Sequence, residues 1–400
     1  MQRTLFLRLW IMVFLHYFVW GAWYAAMATY LDKTLHFKGG QIGLAYGTTA
    51  VGALVSPFIV GILADRFFAT QRILACLHLL GAGLLFLVST LQDFGQFYPA
   101  LLAYTVTYMA GHGLTNALTL HHSKNPAKEF PLVMVMASVG WIVAGLLVSW
   151  LKLEQSAGMF QLAAAAALLM SVYSLTLPHT PPKGVNAPIS LGTLLGFDAL
   201  KLMRDRSFAT FMICSFLICV PLSFYFSWMS VFLAELKVEH AAAKMTLGQV
   251  SDVVFLLLLP LLLPRIGVKG VLLVGIAAWA VRFGLFAAFA GHPDLLSLMF
   301  LGICVHGMCY DFIFVMGRMY VDKHAREDIR AAAQGLHGVV TLGAGMFIGT
   351  WLSGVVGEHY NKRGDTHSWQ EIWMIPAAMS AVLIVVFALL FKERNEASAN

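Results

Sequence analysis

Gly61-Ile62-Leu63-Ala64-Asp65-Arg66, followed by Arg72, is a short charged turn set between two long apolar runs, near 42–64 and 72–91. About 20 mostly apolar residues suffice for a helix to cross the hydrocarbon core of a bilayer. Scanning outward from this turn for runs of that kind finds twelve, near 5–31, 42–64, 72–91, 97–121, 131–151, 157–178, 208–236, 245–264, 269–290, 295–317, 332–357 and 370–391. The pattern predicts an all-α membrane protein of twelve transmembrane helices, joined by short loops.

Composition supports that reading. Only 12% of the 400 residues are charged and 59% are hydrophobic, with a mean hydropathy of +0.77. A soluble chain carries about 25% charged residues, and so few charges cannot cover a water-exposed surface. The formal net charge of +6 comes from basic residues in the loops, which fits orientation in a bilayer better than binding of a nucleic acid polymer. The five cysteines, Cys76, Cys214, Cys219, Cys304 and Cys309, lie inside apolar runs without metal-ligand or disulfide spacing and read as packing residues. The first apolar run extends past Trp20 to Tyr30, too long for a cleaved signal core, so a retained span is expected.

Basic residues concentrate on the cytoplasmic side of bilayer proteins. With the N-terminus inside, 18 of the 26 Lys and Arg fall on the cytoplasmic side and 7 on the opposite side, leaving Arg282 deep within a span. Both termini are therefore expected in the cytoplasm. The longest polar connection, His179 to Arg206, opens with Pro181-Pro182. It divides the chain into a half at 1–178, a cytoplasmic linker at 179–207 and a second half at 208–400. A faint repeat agrees: Leu261-Leu262-Leu263-Pro264-Arg265-Ile266-Gly267-Val268-Lys269 follows the eighth run as the Asp65-Arg66 turn follows the second. Arg66 and Arg265 are 199 residues apart, about half the chain, though the second copy lacks the aspartate.

Gly61-x-x-Ala64-Asp65-Arg66 with Arg72 resembles the loop signature of the major facilitator superfamily, in which such an acid and such arginines latch neighbouring helix ends. A carboxylate facing guanidinium groups makes a charge-assisted bond that rocking halves can form and break. A simple cytoplasmic anchor is the plainer role for the same residues. Further segments resemble the bacterial nucleoside:proton symporters of that superfamily. They are Trp20-Gly21-Ala22-Trp23, Tyr108-Met109, Gly113-Leu114-Thr115-Asn116, Thr176-Leu177-Pro178-His179, Ala278-Trp279-Ala280-Val281-Arg282-Phe283, Asp311-Phe312, Val321-Asp322-Lys323, Ile329-Arg330-Ala331-x-Ala333-Gln334-Gly335 and Trp369-Gln370-x-x-Trp373. The resemblance runs in order along nearly the whole chain. It implies two six-helix halves, alternating access and proton-coupled import of a small polar solute, a nucleoside first among them, with no cofactor or metal. A monomer in the bacterial inner membrane is expected.

Charged groups inside a bilayer are costly and are functional candidates by default. The clearest here are Asp252, Arg282 and Asp311. Asp252 follows Gln249 by three residues, so the two share a helix face. The resemblance implies that Gln249 and Asp252 hold polar groups of the solute, an aspartate standing where the family has glutamate. It places an acid at Asp311 as well. Asp311, with Asp252 second, is the candidate for coupling proton entry to solute entry. The structural alternative is that either acid pairs with Arg282 to hold helices together, and an ion-pair role is the expectation for Arg282 itself. Asn116, Ser138 and Ser223 are candidate polar contacts, and Trp20 and Tyr310 are candidates to stack on a planar ring, with packing the plainer role for each. His16 and His112 read mainly as helix contacts.

The departures from the family carry information. Met134 stands where the resemblance places a pocket arginine, and Ser223, Phe226 and Phe314 stand where it places amides. A site built to hydrogen-bond a hydroxyl discriminates strongly, whereas an apolar one does not. A pocket less polar than the family's is expected, with Ser223, Ser227 and Ser230 on one helix face. A different solute (a sugar, a peptidoglycan fragment or an amphipathic metabolite) therefore stays open beside a nucleoside. From other classes, a membrane-embedded enzyme and a non-transporting sensor are minor alternatives. The pair His121-His122 sits beside no acidic motif, and neither metal-ligand spacing nor a nucleophile constellation is visible.

Overall fold

A computed structural model describes residues 3–63, 68–181, 197–362 and 366–392. The chain is helical almost throughout. In chain order the long helices are α1 (Arg3–Lys33), α2 (Gly39–Leu63), α3 (Thr70–Thr90), α4 (Phe94–His122), α5 (Pro126–Trp150), α6 (Gly158–Ser174), α7 (Arg206–Glu235), α8 (Ala241–Gly291), α9 (Leu296–His324), α10 (Ala332–His359) and α11 (Trp369–Leu390). A short 3-10 segment at Phe197–Arg204 and a two-residue hairpin, Asn361–Lys362 against Thr366–His367, complete the regular structure. Among the described residues, eight of these helices are long and apolar enough to cross a bilayer.

The boundaries follow from the apolar runs, with α1 interrupted by a turn at Ala25-Ala26. α8 alone differs in kind. At about 1.5 Å per residue its 51 residues would reach roughly 75 Å as a straight rod, more than twice a bilayer's hydrocarbon thickness. It does not run straight. Gly267 has φ 66° and ψ 177°, a conformation essentially confined to glycine, and it separates α8 into two arms. Arg265 Nη1 caps the first arm by donating to the Leu261 carbonyl at 2.7 Å, and Lys269 Nζ donates to the Ala388 carbonyl at 2.8 Å. The turn expected at Leu261–Lys269 is therefore present, with glycine rather than aspartate as its pivot.

By their internal contacts the residues sort into two compact units. One comprises 1–189, 226–249 and 350–359; the other comprises 190–225, 250–349 and 360–400. The first is centred on an aliphatic cluster that includes Leu9, Met12, Val13, Leu74, Leu114, Val133 and Met170, contributed by α1, α3, α4, α5 and α6. The second buries Trp279, Phe283, Phe286 and Trp373 against one another. Outer faces are equally apolar: Leu79, Leu80, Phe86, Leu257, Val385 and Leu389 are each more than half exposed. Such faces suit lipid, not water. Of the cysteines, Cys214, Cys219 and Cys309 are buried as packing residues, while Cys76 and Cys304 are exposed.

Two π-helical segments interrupt α9 and α10, at Asp311–Val315 and Val339–Gly345. Single π turns inside α-helices are rare and recur at functional sites. One of them begins on Asp311.

Candidate functional site

The polar interior of the second unit is built on α7, both arms of α8, and α9. Arg282 on the second arm of α8 is fully buried. Its guanidinium lies 3.7 Å from the centre of the Tyr225 ring, with Trp279 and Phe286 at 5.4 and 5.6 Å, so aromatic faces replace water around the charge. Nη1 donates to His306 Nδ1 at 2.6 Å. A guanidinium has no acceptor and does not lose its proton, so His306 Nδ1 must be the accepting nitrogen and Nε2 carries the hydrogen. That Nε2 stands 3.9 Å from Asp252 Oδ1. The three residues form a line: guanidinium, imidazole, carboxyl.

Close backbone contact holds the line together. Gly307 N–H donates to Ser251 Oγ at 2.8 Å. A Cβ at Gly307 would lie 2.6 Å from Asp252 N and overlap the Ser251 carbonyl, so only glycine lets α9 lie against the first arm of α8 here. Trp279 Nε1 donates to the Cys309 carbonyl at 3.1 Å, tying the second arm to the same stretch. Asp311 is buried at 3% exposure, and its Oδ2 has no hydrogen-bond partner among the described residues; Asp252 Oδ1 likewise has none. Tyr310 is half-buried, with ring contacts to His306 at 6.0 Å and to Phe314 at 5.0 Å.

The expected ion pair of Arg282 with an acid takes another form: its hydrogen bond runs to His306, with Asp252 on the far side of the imidazole. His306 was not singled out by the sequence as a site residue. Its spacing to Arg282, 24 residues and one helix away, offers no local signal. Ser223 gives its donor to its own helix. Its hydroxyl bonds the Cys219 carbonyl at 2.7 Å and contacts Met346 Sδ at 3.6 Å, whereas Ser230, two turns on, is the serine whose buried hydroxyl has no partner among the described residues.

The first unit carries its own polar nest. Trp20 is half-buried among Tyr17, Tyr24, Tyr108, His112 and Trp141, at centroid distances of 5.2 to 6.5 Å, and its Nε1 makes no hydrogen bond among the described residues. His16 stacks on Tyr108 at 4.5 Å with the rings parallel to 2°. His16 Nδ1 and His78 Nε2 are 3.1 Å apart, and His78 Nδ1 is 2.9 Å from the Leu74 carbonyl. His78 must donate to that carbonyl, so its Nε2 accepts from His16. His16 is thus paired through Nδ1, while its Nε2 has no hydrogen-bond partner among the described residues; its partner His78 carries no mark of this pairing in the sequence. Asn116 is half-buried with Oδ1 unpartnered among the described residues; Ser138 and Gln249 are half-buried on α5 and α8. Met134 packs on the aliphatic cluster, and Phe226 meets the Tyr24 ring at 5.2 Å. Arg72 is exposed in the first turn of α3, while Asp65 and Arg66 lie outside the described residues.

Comparison with known proteins gives this arrangement its family. A model of the nucleoside H+ symporter family matches residues 3–396. The chain is 37% identical over 402 residues to the putative nucleoside transporter YegT of Escherichia coli (strain K12), covering 97% of this chain and 94% of that one. It is 32% identical to the xanthosine permease of the same organism, covering 98% and 96%. A crystal structure of the nucleoside transporter NupG, 32% identical, superposes with a TM-score of 0.88 over 98% of this chain and all of that one. Peptide transporters of the POT family, such as one 13% identical with a TM-score of 0.74, share the fold alone. With a family model spanning nearly every residue and relatives above 30% identity over 94% and 96% of their own length, the chain belongs to the nucleoside H+ symporter family.

Proposed function

We propose that this protein imports a nucleoside into the cell together with a proton, as a multi-pass secondary transporter of the inner membrane. The observation that carries the proton half is the pair of carboxyl groups at the buried Asp311 and the half-buried Asp252, each with one buried oxygen that has no hydrogen-bond partner among the described residues. Burial without a partner costs a polar group free energy, and far more if it is charged. A proton, or a hydroxyl of the solute, removes that cost. Asp311 is the group that takes a proton from outside in the loaded carrier and returns it inside. Asp252 then faces solute, with Gln249 three residues before it.

Arg282 and His306 are positioning residues in this scheme. The guanidinium keeps the imidazole in the form whose N–H faces Asp252, which steadies that carboxyl whenever it is charged. Trp20 and Tyr310 offer flat faces for a base, and Asn116, Ser138 and Ser223 are the remaining candidate contacts. Twelve spans in two halves, 1–178 and 208–400 joined through 179–207, with both termini in the cytoplasm, supply the alternating access. Asp65, Arg66 and Arg72 act as the gate latch between helix ends. The carrier works as a monomer in the lipid bilayer.

The apolar substitutions favour one second reading within the same machine. Met134 packs on aliphatic neighbours and Phe314 on Tyr310, where the family resemblance places polar groups. These favour a solute with fewer hydroxyls, such as an amphipathic metabolite. Uptake of labelled uridine and adenosine into proteoliposomes, acidic outside, with sugars and nucleosides as competitors, decides between them. Accumulation that nucleosides suppress supports the first reading, and failure of every nucleoside to be carried or to compete removes it.

A further inference from the structure

In the second unit, a cavity of about 290 Å³ lies between α9 and α10, beyond the Asp311 array. Its wall is made by Phe314, Arg318, Gln334, His337, Thr341 and Leu342. Both π-helical segments contribute to it, Phe314 from one and Thr341 and Leu342 from the other. A π turn widens a helix locally, and two of them facing one space is a feature that packing alone does not call for.

The chemistry of the wall has one sign. Arg318 is exposed and permanently charged. Among the described residues, no carboxylate lines the cavity. The nearest acid along α9, Asp322, lies 3.6 Å from Arg330 Nε. Gln334 Nε2 donates to the Arg318 carbonyl at 2.8 Å, which joins α10 to α9 beneath the guanidinium. His337 is buried at 3% exposure and stacks on Phe211 at 5.6 Å and 11°. Its Nε2 has no hydrogen-bond partner among the described residues. A buried imidazole nitrogen left unbonded is an anomaly to be explained. The ring that carries it lines a cavity that also holds the Arg318 guanidinium, which has no acid partner among the described residues.

We propose that this cavity is an anion site, which receives a phosphate group between the Arg318 guanidinium and the His337 imidazole. The planar fork of arginine matches phosphate oxygens, and the imidazole adds a second donor when it carries hydrogen on the facing nitrogen. The space exceeds what a bare phosphate needs, so the phosphate is the head of a larger molecule. It belongs either to a free phosphate monoester or to a lipid headgroup. This assignment is independent of which solute the carrier moves.

The test uses the full-length protein in an uncharged detergent, with melting followed as inorganic phosphate is added against chloride of equal ionic strength. Binding to the folded form raises the melting temperature by mass action. The expected result is a saturable rise with phosphate that is weakened about tenfold or more in Arg318→Gln and in His337→Gln, as loss of a charge-assisted bond requires. Arg318 is exposed, so Arg318→Gln should melt like the parent without phosphate; Arg318→Lys, which keeps the charge and loses the fork, should fall between. Nanodiscs of phosphatidylglycerol against phosphatidylcholine separate the sources. A rise with free phosphate in detergent identifies a soluble phosphate ligand. A rise confined to phosphatidylglycerol and lost in Arg318→Gln identifies a lipid headgroup. No rise in either setting, or rises that both variants retain, overturns the proposal.

Discussion

Arg282 Nη1 and His306 Nδ1 meet at 2.6 Å in the interior of the second unit, and this bond decides which imidazole nitrogen faces Asp252. The guanidinium can only donate, so the imidazole must accept on Nδ1 and present its N–H to the carboxyl. A permanent charge is thereby used to orient a neutral ring. Interhelical hydrogen bonds in membrane proteins contribute on average only about 0.6 kcal/mol to stability. The same bond acting through position can change a rate far more.

His306→Gln should accordingly keep a large part of transport, because an amide can accept from Arg282 and donate toward Asp252. His306→Leu should lose uptake about tenfold or more while the melting temperature changes little, in line with the modest stability of such bonds. Initial rates of uptake in proteoliposomes, measured beside thermal unfolding, check both. Equal loss in the two variants would assign the imidazole a role in proton transfer instead of positioning.

Gly307→Ala tests the approach of α9 to α8. The new Cβ would come within 2.6 Å of Asp252 N, so the helices must part. Overpacking of this kind costs about 1–3 kcal/mol. A lower melting temperature together with loss of uptake is expected. Unchanged uptake would show that the spacing of Asp252 and His306 is not critical.

His122, just past the end of the predicted span 97–121, gives a pH dependence with a definite sign. Its Nε2 lies 2.8 Å from Thr180 Oγ1, and burial, then the charge of His121, holds its pKa below the ordinary 6.5. The unfolded chain therefore takes up the proton first as pH falls. Stability contributed here is intact above 6.5 and declines as pH drops from 6.5 toward the lower folded value. His122→Gln should flatten that part of the melting-temperature profile between about pH 7 and 5. A profile unchanged by the substitution would contradict this linkage.

Reversal of a pocket departure tests the solute. Met134→Arg restores the cation that the family resemblance places on α5. If nucleosides are carried, the substitution should lower their KM, since a site with added donors discriminates hydroxyls more strongly. It also sets a charge against the aliphatic cluster that Met134 packs on, so its melting temperature must be measured alongside. A folded variant with a higher KM for nucleosides would favour the amphipathic solute.

Much of the fold is legible in the sequence because lipid demands long apolar runs and tolerates few charges. The helices follow those runs, and even the pivot in α8 is announced by Pro264, Arg265, Gly267 and Lys269. The acids Asp252 and Asp311 stand out for the same reason. What does not show is pairing across helices. His306 and His78 look like ordinary residues of apolar runs, and their partners, Arg282 and His16, lie 24 and 62 positions away. Nor does sequence tell that Ser223 spends its hydroxyl on its own helix while Ser230 does not. The π turns at Asp311–Val315 and Val339–Gly345 are equally silent, since no local propensity announces them.

The central claim is that Asp311 couples proton entry to nucleoside entry, and the most direct measurement is uphill accumulation of labelled uridine in proteoliposomes with an acidic exterior, for the parent protein and Asp311→Asn. The parent is expected to concentrate uridine above the external level. Asp311→Asn, which cannot exchange a proton, is expected to carry uridine only to equilibrium while still supporting counterflow. Accumulation by Asp311→Asn as strong as the parent's would contradict the account.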